Sequence, residues 1–367
     1  VEAQDVAVAT GEAVAAGDVA AAVAVNRMAT SFFLERLTIQ WHVTEACNRR
    51  CRHCYQKSWA LNSIPYQILS ERLENITRFI RWGAHRSQDF KAHINITGGE
   101  PFLFPELFPL LKDIKKTGLF SFGILSNGQL PSPGNLQYLK SLHPSFIQLS
   151  LDGNQVVHDA IRGEGAFSEV IHAISVYTKL RIPIILAFTA NAMNFHSFPD
   201  VIEIARKMKV KMVWCDRYLP IKTKDDLCLT ESQSMAFFNS LGGSHLISFR
   251  RRHRATEVAL HRALQFLIAG GKPYHCSAGR NLLAISPDGD VYPCRRMPIV
   301  LGNIDDASLI DIYCENPVVQ RLRSDESLDP TCKKCFYAKS CSGGLKCLSY
   351  AAYNDFHRRD PHCWFIV

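Results

Sequence analysis

"RLTIQWHVTEACNRRCRHCY" (Arg36 to Tyr55) changes character halfway along. Up to Val43 apolar and polar residues alternate, the period of a half-buried strand. After it, Cys47, Cys51 and Cys54 crowd into one short loop. The same order, a strand and then residues capable of chemistry, recurs down the chain. "AHINIT" (Ala92 to Thr97) runs into "GGEP", "FSFGILS" (Phe120 to Ser126) into "NG", and "SFIQLSL" (Ser145 to Leu151) into "DG". "IPIILAFT" (Ile182 to Thr189) and "VKMVWC" (Val210 to Cys215) bring the strands to six, and segments of helical period such as "PELFPLLKDIKKTG" and "DVIEIARKMK" separate them. Alternating strands and helices predict an α/β fold with a parallel sheet. Right-handed crossovers curl that sheet into a partial (β/α)6 barrel of the TIM type, whose working residues lie just after the strands.

Composition narrows the function classes. The chain has 367 residues, 47% hydrophobic and 21% charged, enough to bury a core and hold more than one domain. No run of about 18 uncharged apolar residues occurs, so no membrane span is expected. Residues 1–27 are rich in Ala and Val but are broken by Glu2, Asp5, Glu12 and Asp18, and they lack the basic start of a signal peptide. We expect a cytoplasmic protein. The first 27 residues lie outside its fold, as a disordered tail, an expression remnant or a tethered peptide, and Met28 reads as a native start. In a reducing compartment thirteen cysteines point to metal or redox chemistry rather than disulfides. The net charge of +8 is concentrated at "FRRRHR" (Phe249 to Arg254), a solvated helix face or a dock for an acidic peptide. No interleaved aromatic platform accompanies it, which argues against nucleic acid.

The chain divides into an extension (1–35), the barrel (36–220), a bridge (221–275) with a helix near Ala255 to Ala269, and a cysteine-rich region (276–367). The small core of that last region needs metal to hold it.

Three thiols on one loop are one too few for a closed site. Four thiolates saturate a 4Fe-4S cluster, whereas three leave one iron open to a substrate or cofactor. A zinc loop would need His42 or His53 to complete a strained local set of four. The spacing Cys-x3-Cys-x2-Cys, followed by Tyr55, resembles the cluster motif of the radical S-adenosylmethionine (SAM) enzymes. That resemblance implies that Cys47, Cys51 and Cys54 hold the cluster and that its open iron chelates SAM, whose reductive cleavage gives a 5′-deoxyadenosyl radical. "TGGEP" (Thr97 to Pro101) is similar to the family's second-strand motif, with Gly98, Gly99 and Glu100 at the methionyl amino group. Ser126 and Asn127 resemble the ribose contacts. "SLDG", starting at Ser150, followed by "HDAIRG" (His158 to Gly163), resembles the fourth-strand pattern in which Arg162 reaches the SAM carboxylate. Tyr55 and Asn191 are counted with the same pocket. His53 stands where the family often has an apolar aromatic residue.

The later cysteines resemble the SPASM domain, an appended carrier of auxiliary iron-sulfur clusters. Gly289-x4-Cys294 and Cys332-x2-Cys335-x5-Cys341 fit its pattern, while the interval to Cys347 is five residues instead of three. A zinc-ribbon pair shares the Cys-x2-Cys element. By resemblance, Cys332, Cys335, Cys341 and Cys363 saturate one auxiliary cluster. Cys276, Cys294 and Cys347 hold a second, whose fourth ligand is His275, another side chain or a substrate thiolate, unless it is a 2Fe-2S centre. Cys228 and Cys314 read as small buried residues. Cys215, ending the sixth strand, is a candidate hydrogen donor at the barrel mouth.

The resemblance implies an oxidoreductase that modifies a ribosomally made precursor peptide, forming a thioether or carbon-carbon crosslink. The leader of that peptide would be read by a separate protein or by the bridge, and a flavodoxin or ferredoxin would donate electrons. The alternatives are a peptide epimerase using Cys215, a formylglycine-forming sulfatase maturase, and a non-catalytic iron-sulfur scaffold. Arg295, standing where such maturases carry an aspartate base, argues against the second alternative. The SAM-pocket motifs argue against the third.

Overall fold

The computed structural model describes residues 35–365 apart from 57, 61–63, 88, 221–224, 243–255, 261, 271 and 325–327. The N-terminal extension up to residue 34 and the basic run 249–254 lie outside the described residues. The six expected strands form as β1 (Arg36–His42), β2 (Lys91–Thr97), β3 (Phe120–Ser126), β4 (Phe146–Ser150), β5 (Ile184–Ala190) and β6 (Met212–Arg217). Each pairs in parallel with the next, as a strand-helix-strand chain requires. Between them run α1 (Tyr66–Ala84), α2 (Leu107–Thr117), α3 (Pro133–Leu142), α4 (Gln155–Arg162), α5 (Ala166–Lys179) and α6 (Phe198–Lys207).

Strand alternation separates two faces. The register sets Ile39 beside Ile94, Leu149 beside Leu186, and Phe188 beside Cys215. All are buried and belong to one core shared with Ile76, Leu110 and Val170 of the helices. Each Leu or Ile fully buried there contributes roughly 1.5–3 kcal/mol. The opposite face carries Gln40 beside Asn95, Ser150 beside Ala187, and Thr189 beside Asp216. This polar face is the concave lumen of the partial barrel. Trp214 lies on it and donates its indole N–H to Gln148 Oε1 at 3.2 Å.

The sheet is longer than six strands. Its order is β10-β9-β8-β1-β2-β3-β4-β5-β6-β7, with β7 at Glu257–Ala259, β8 at Leu282–Ile285, β9 at Asp290–Tyr292 and β10 at Gly302–Asn303. The helix expected near Ala255 to Ala269 is therefore corrected. Glu257–Ala259 pairs in parallel with β6, and Thr256 Oγ1 donates to Val210 O at 2.7 Å. An available sheet edge wins over local helical propensity. Among the described residues of that stretch only Phe266–Ala269 is α-helical, stopped by Gly270 at φ 68°.

The cysteine-rich region is continuous with the barrel through β8, which pairs in parallel with β1. Leu283, Ile285, Val291 and Val319 join the main core, and a smaller cluster forms around Met297, Leu322, Leu345, Leu348 and Phe356. Among the described residues no helix is long and apolar enough to cross a membrane.

Candidate active site

Two loops fix the first three thiols. The ladder between β1 and β2 continues past the strand ends: Val43 N–H donates to Thr97 O at 2.9 Å, Gly99 N–H to Thr44 O at 2.8 Å, and Glu100 N–H to Ala46 O at 2.7 Å. A Cβ on Gly99 would sit 2.2 Å from Ala46 O, and one on Gly98 2.4 Å from Thr44 O. These glycines admit the backbone of the cysteine loop itself. On its other side, Arg52 N–H donates to Ile161 O at 2.9 Å, tying the loop to the end of α4. That helix is capped by Asn154, which accepts from Val157 N–H, and it ends at Gly163.

Donors point at the sulfurs. Arg49 N–H lies 3.4 Å from Cys47 Sγ, Asn127 Nδ2 3.6 Å from the same sulfur, and Arg162 Nη1 3.8 Å from Cys51 Sγ. Cys54 is electrostatically coupled to Cys51 and Cys47, and Cys47 to Cys51, so the three thiols share one neighbourhood. Burial raises the Cys47 and Cys54 thiols above their usual range while the N–H groups pull them back. Among the described residues no three Cys, His, Asp or Glu side chains close around the point a single ion would occupy. Thiols in mutual reach, each approached by N–H donors, form a donor set that fits an iron-sulfur cluster.

Glu100 is fully buried. Its carboxylate accepts from Phe102 N–H at 3.2 Å, Ser126 Oγ at 3.1 Å and Asn127 N–H at 2.8 Å. It thereby joins the second- and third-strand loops. Desolvation pushes its pKa up to about 7 against the pull of those donors. Arg162 donates from Nε to Asp152 Oδ2 at 2.5 Å and contacts His53 Nε2 at 3.3 Å. Asp152, wholly buried, also accepts from Thr189 N–H at 3.0 Å. Burial raises the Asp152 carboxyl, but Arg162 beside it holds the net value below the ordinary range. Asp152 is not among the residues that the sequence motifs assign to the site. Its signal was there: an aspartate at a strand end, ten positions before the arginine it neutralises.

Ser150 ends β4 half-buried on the lumen face. Tyr55 lies partly exposed beside Arg295, whose guanidinium sits 5.4 Å from its ring centroid. Asn191 is buried with its amide engaged by its own turn, accepting from Met193 N–H at 2.9 Å and donating to Thr189 O at 3.2 Å. Cys215 requires correction as a hydrogen donor at the mouth. It shares the face of Phe188, buried in the core between sheet and helices, and its sulfur accepts from Gln265 Nε2 at 3.1 Å. The lumen residues of β6 are its neighbours Trp214 and Asp216.

Asp216 and Arg217, which close β6, were not singled out from the sequence. Asp216 Oδ2 accepts from Arg262 Nη2 at 2.8 Å and from Arg296 Nη1 at 2.5 Å, and these cations hold its carboxyl down at about 2 against desolvation. Arg217 is paired in two-pronged fashion with Asp360 at 2.8 and 2.7 Å, both groups buried. The later thiols gather around these pairs. Cys347 is electrostatically coupled to Cys294 and Cys276, and both Cys294 and Cys347 to Arg296. Cys332 is coupled to Cys363 and Cys335, and Cys341 to Cys363 and Cys332. All thirteen cysteines are free thiols.

Comparison with known proteins agrees with this geometry. The radical SAM superfamily model matches residues 41–214, and the SPASM iron-sulfur cluster-binding domain matches residues 276–336. The chain is 24% identical to an AdoMet-dependent heme synthase of Methanosarcina barkeri, over 89% of this chain and 95% of that one. It is also 24% identical to the mycofactocin maturase MftC of Mycolicibacterium smegmatis, over 89% and 82% of the two chains. Streptococcus suis SuiB, solved with bound S-adenosylmethionine, superposes with a TM-score of 0.73 at 15% identity, over 95% of this chain and 82% of that one. The chain is a radical SAM enzyme with a C-terminal SPASM iron-sulfur domain.

Proposed function

We propose that the protein matures a ribosomally made peptide by forming a thioether or carbon-carbon crosslink. When bound, the three-thiol cluster and SAM supply hydrogen-atom abstraction. Cys47, Cys51 and Cys54 hold that cluster, with Asn127 and Arg162 donating toward the sulfurs. Glu100 keeps Ser126 and Asn127 in place beside them. Cys332, Cys335, Cys341 and Cys363 hold one auxiliary cluster, and Cys276, Cys294 and Cys347 another. Forming the crosslink removes two hydrogens from the peptide, one as an atom and one as a proton plus an electron, so it needs an oxidising site near the cavity. The observation that carries this reading is the link from the Cys276, Cys294 and Cys347 set to the lumen through Arg296 and Asp216.

Relatives named mycofactocin maturase and PqqA peptide cyclase support a peptide substrate. Epimerisation with Cys215 loses its support because that thiol faces the helices. A second reading, favoured by the match along nearly the whole of the heme synthase, is a tetrapyrrole substrate. A reducing, cytoplasmic compartment belongs to the same proposal. A low-potential flavodoxin or ferredoxin as donor, and a separate leader-binding protein, belong to the same proposal.

The test is anaerobic reconstitution followed by dithionite and SAM, with short peptides encoded beside the gene as candidates. Wild type should release 5′-deoxyadenosine, and a Cys47→Ala, Cys51→Ala, Cys54→Ala variant should not. The product should be lighter by two hydrogens. Unchanged mass with deuteron uptake from solvent would mean epimerisation, and turnover of a tetrapyrrole alone would favour the second reading.

A further inference from the structure

The cations lining the lumen are matched by carboxylates, with one exception among the described residues. Arg162 has Asp152, and Arg262 and Arg296 share Asp216, while Arg217, on the opposite face of β6, has Asp360. Arg295 has no ion pair among the described residues, and its Nε is buried without a hydrogen-bond partner. It lies over the Tyr55 ring at 5.4 Å and within electrostatic reach of His42 and Tyr292. His42 ends β1, and Tyr292 stands opposite Ala284 on the face that continues from Gln40. The guanidinium therefore sits in the cavity, between the loop of the first three thiols and the strand leading to Cys294.

A buried donor such as Arg295 Nε is costly to leave without a partner, and arginine at such a place offers a planar fork that fits a carboxylate in two-pronged fashion. We propose that Arg295 anchors a carboxylate of the substrate, seated between the rings of Tyr55 and Tyr292. The inference rests on the lumen being the substrate cavity, as argued above. It adds that the substrate carries an anionic group, held beside the cysteine loop.

The test uses the reconstituted full chain without turnover, so its outcome is separate from that of the nucleoside assay. Arg295 is modified with 4-hydroxyphenylglyoxal, its rate is followed by peptide mass mapping, and 3-phenylpropionate is compared with 3-phenylpropionamide as protecting probe. The carboxylate should slow modification of Arg295 several-fold and the amide should not. Equal protection by both, or by neither, would overturn the proposal. Full protection by SAM alone would also overturn it, assigning the guanidinium to the cofactor's carboxylate. Arg295→Met, which removes an unpaired charge, should leave the urea midpoint unchanged or raised. A lowered midpoint would mark the residue as structural.

Discussion

Asp152 sets the charge state of the wall behind the cysteine loop. Its carboxylate is wholly buried and holds Arg162 at 2.5 Å, leaving the guanidinium's other nitrogens to face Cys51 and His53. Asp152→Asn keeps the shape and strands the cation, and we expect a loss of roughly 3–5 kcal/mol in unfolding free energy, measured in urea. A loss under about 1 kcal/mol, the range of exposed pairs, would mean that water reaches the pair. His158 supplies a pH signature in the same wall. It is fully buried, accepts from Asp152 N–H at 3.1 Å, and desolvation lowers its pKa to about 4 from an unfolded value of 6.5. The unfolded state therefore binds the proton first. The stability contribution is intact above pH 6.5 and is lost as the pH falls toward 4. Glu100 works in the opposite sense, because its folded pKa of about 7 exceeds the usual 4.5, so its contribution fades as pH rises through that interval. Comparing urea midpoints of wild type and His158→Gln from pH 7 to 4 isolates the histidine. The variant should show the shallower fall, and parallel profiles would exclude His158 as its source.

At the scale of elements, the glycine motif after β2 works by sterics. Gly99→Ala would drive a methyl group to 2.2 Å from Ala46 O, so the cysteine loop must slide. Gly134→Ala, in α3 with open space around it, is the control. Iron and sulfide per chain should fall in the Gly99 variant and stay at the wild-type level in the control. Equal loading would show that the loop's register is set elsewhere. Elements of this kind were legible because the information is local. Six strands announced themselves by an apolar face that must be buried, and the motifs lay where a parallel sheet ends. Elements whose cause is distant were not legible. Glu257–Ala259 is a strand only because β6 offers an edge, and nothing in three residues says so. Cys215 follows the same logic at one position: ending a strand does not tell which face the side chain takes, whereas pairing with Phe188 does. Arg217 and Asp360 lie 143 positions apart, and Arg72 and Asp305 233 apart, beyond any local period.

Those distant pairs decide how the whole molecule holds together. β8 lies against β1, with Thr38 N–H donating to Asn281 O at 2.9 Å, so the first strand of the barrel is an interior strand of a ten-stranded sheet. Arg72 of α1 reaches Asp305 with two bonds at 2.7 and 2.6 Å, Asn75 donates to Ile304 O and Ala307 O, and Arg217 is neutralised by Asp360. Two of the three thiol sets therefore belong to a region that completes the barrel's edge and its buried charge pairs. If that region were an independent appendage, a chain ending at residue 275 would fold, stay soluble and load the first cluster. The contacts argue otherwise. Such a chain exposes Thr38 to Trp41 of β1 as an unpaired edge, bares Leu37, Ile39 and Trp41 on the face that Leu283 and Ile285 now help cover, and takes from Arg72 and Arg217 their counter-ions. We expect it to aggregate on expression. If any is recovered, it should bind 1-anilinonaphthalene-8-sulfonate and unfold without a cooperative transition. A soluble, cooperatively unfolding fragment would show instead that the barrel is complete before the strands from β8 onward are added.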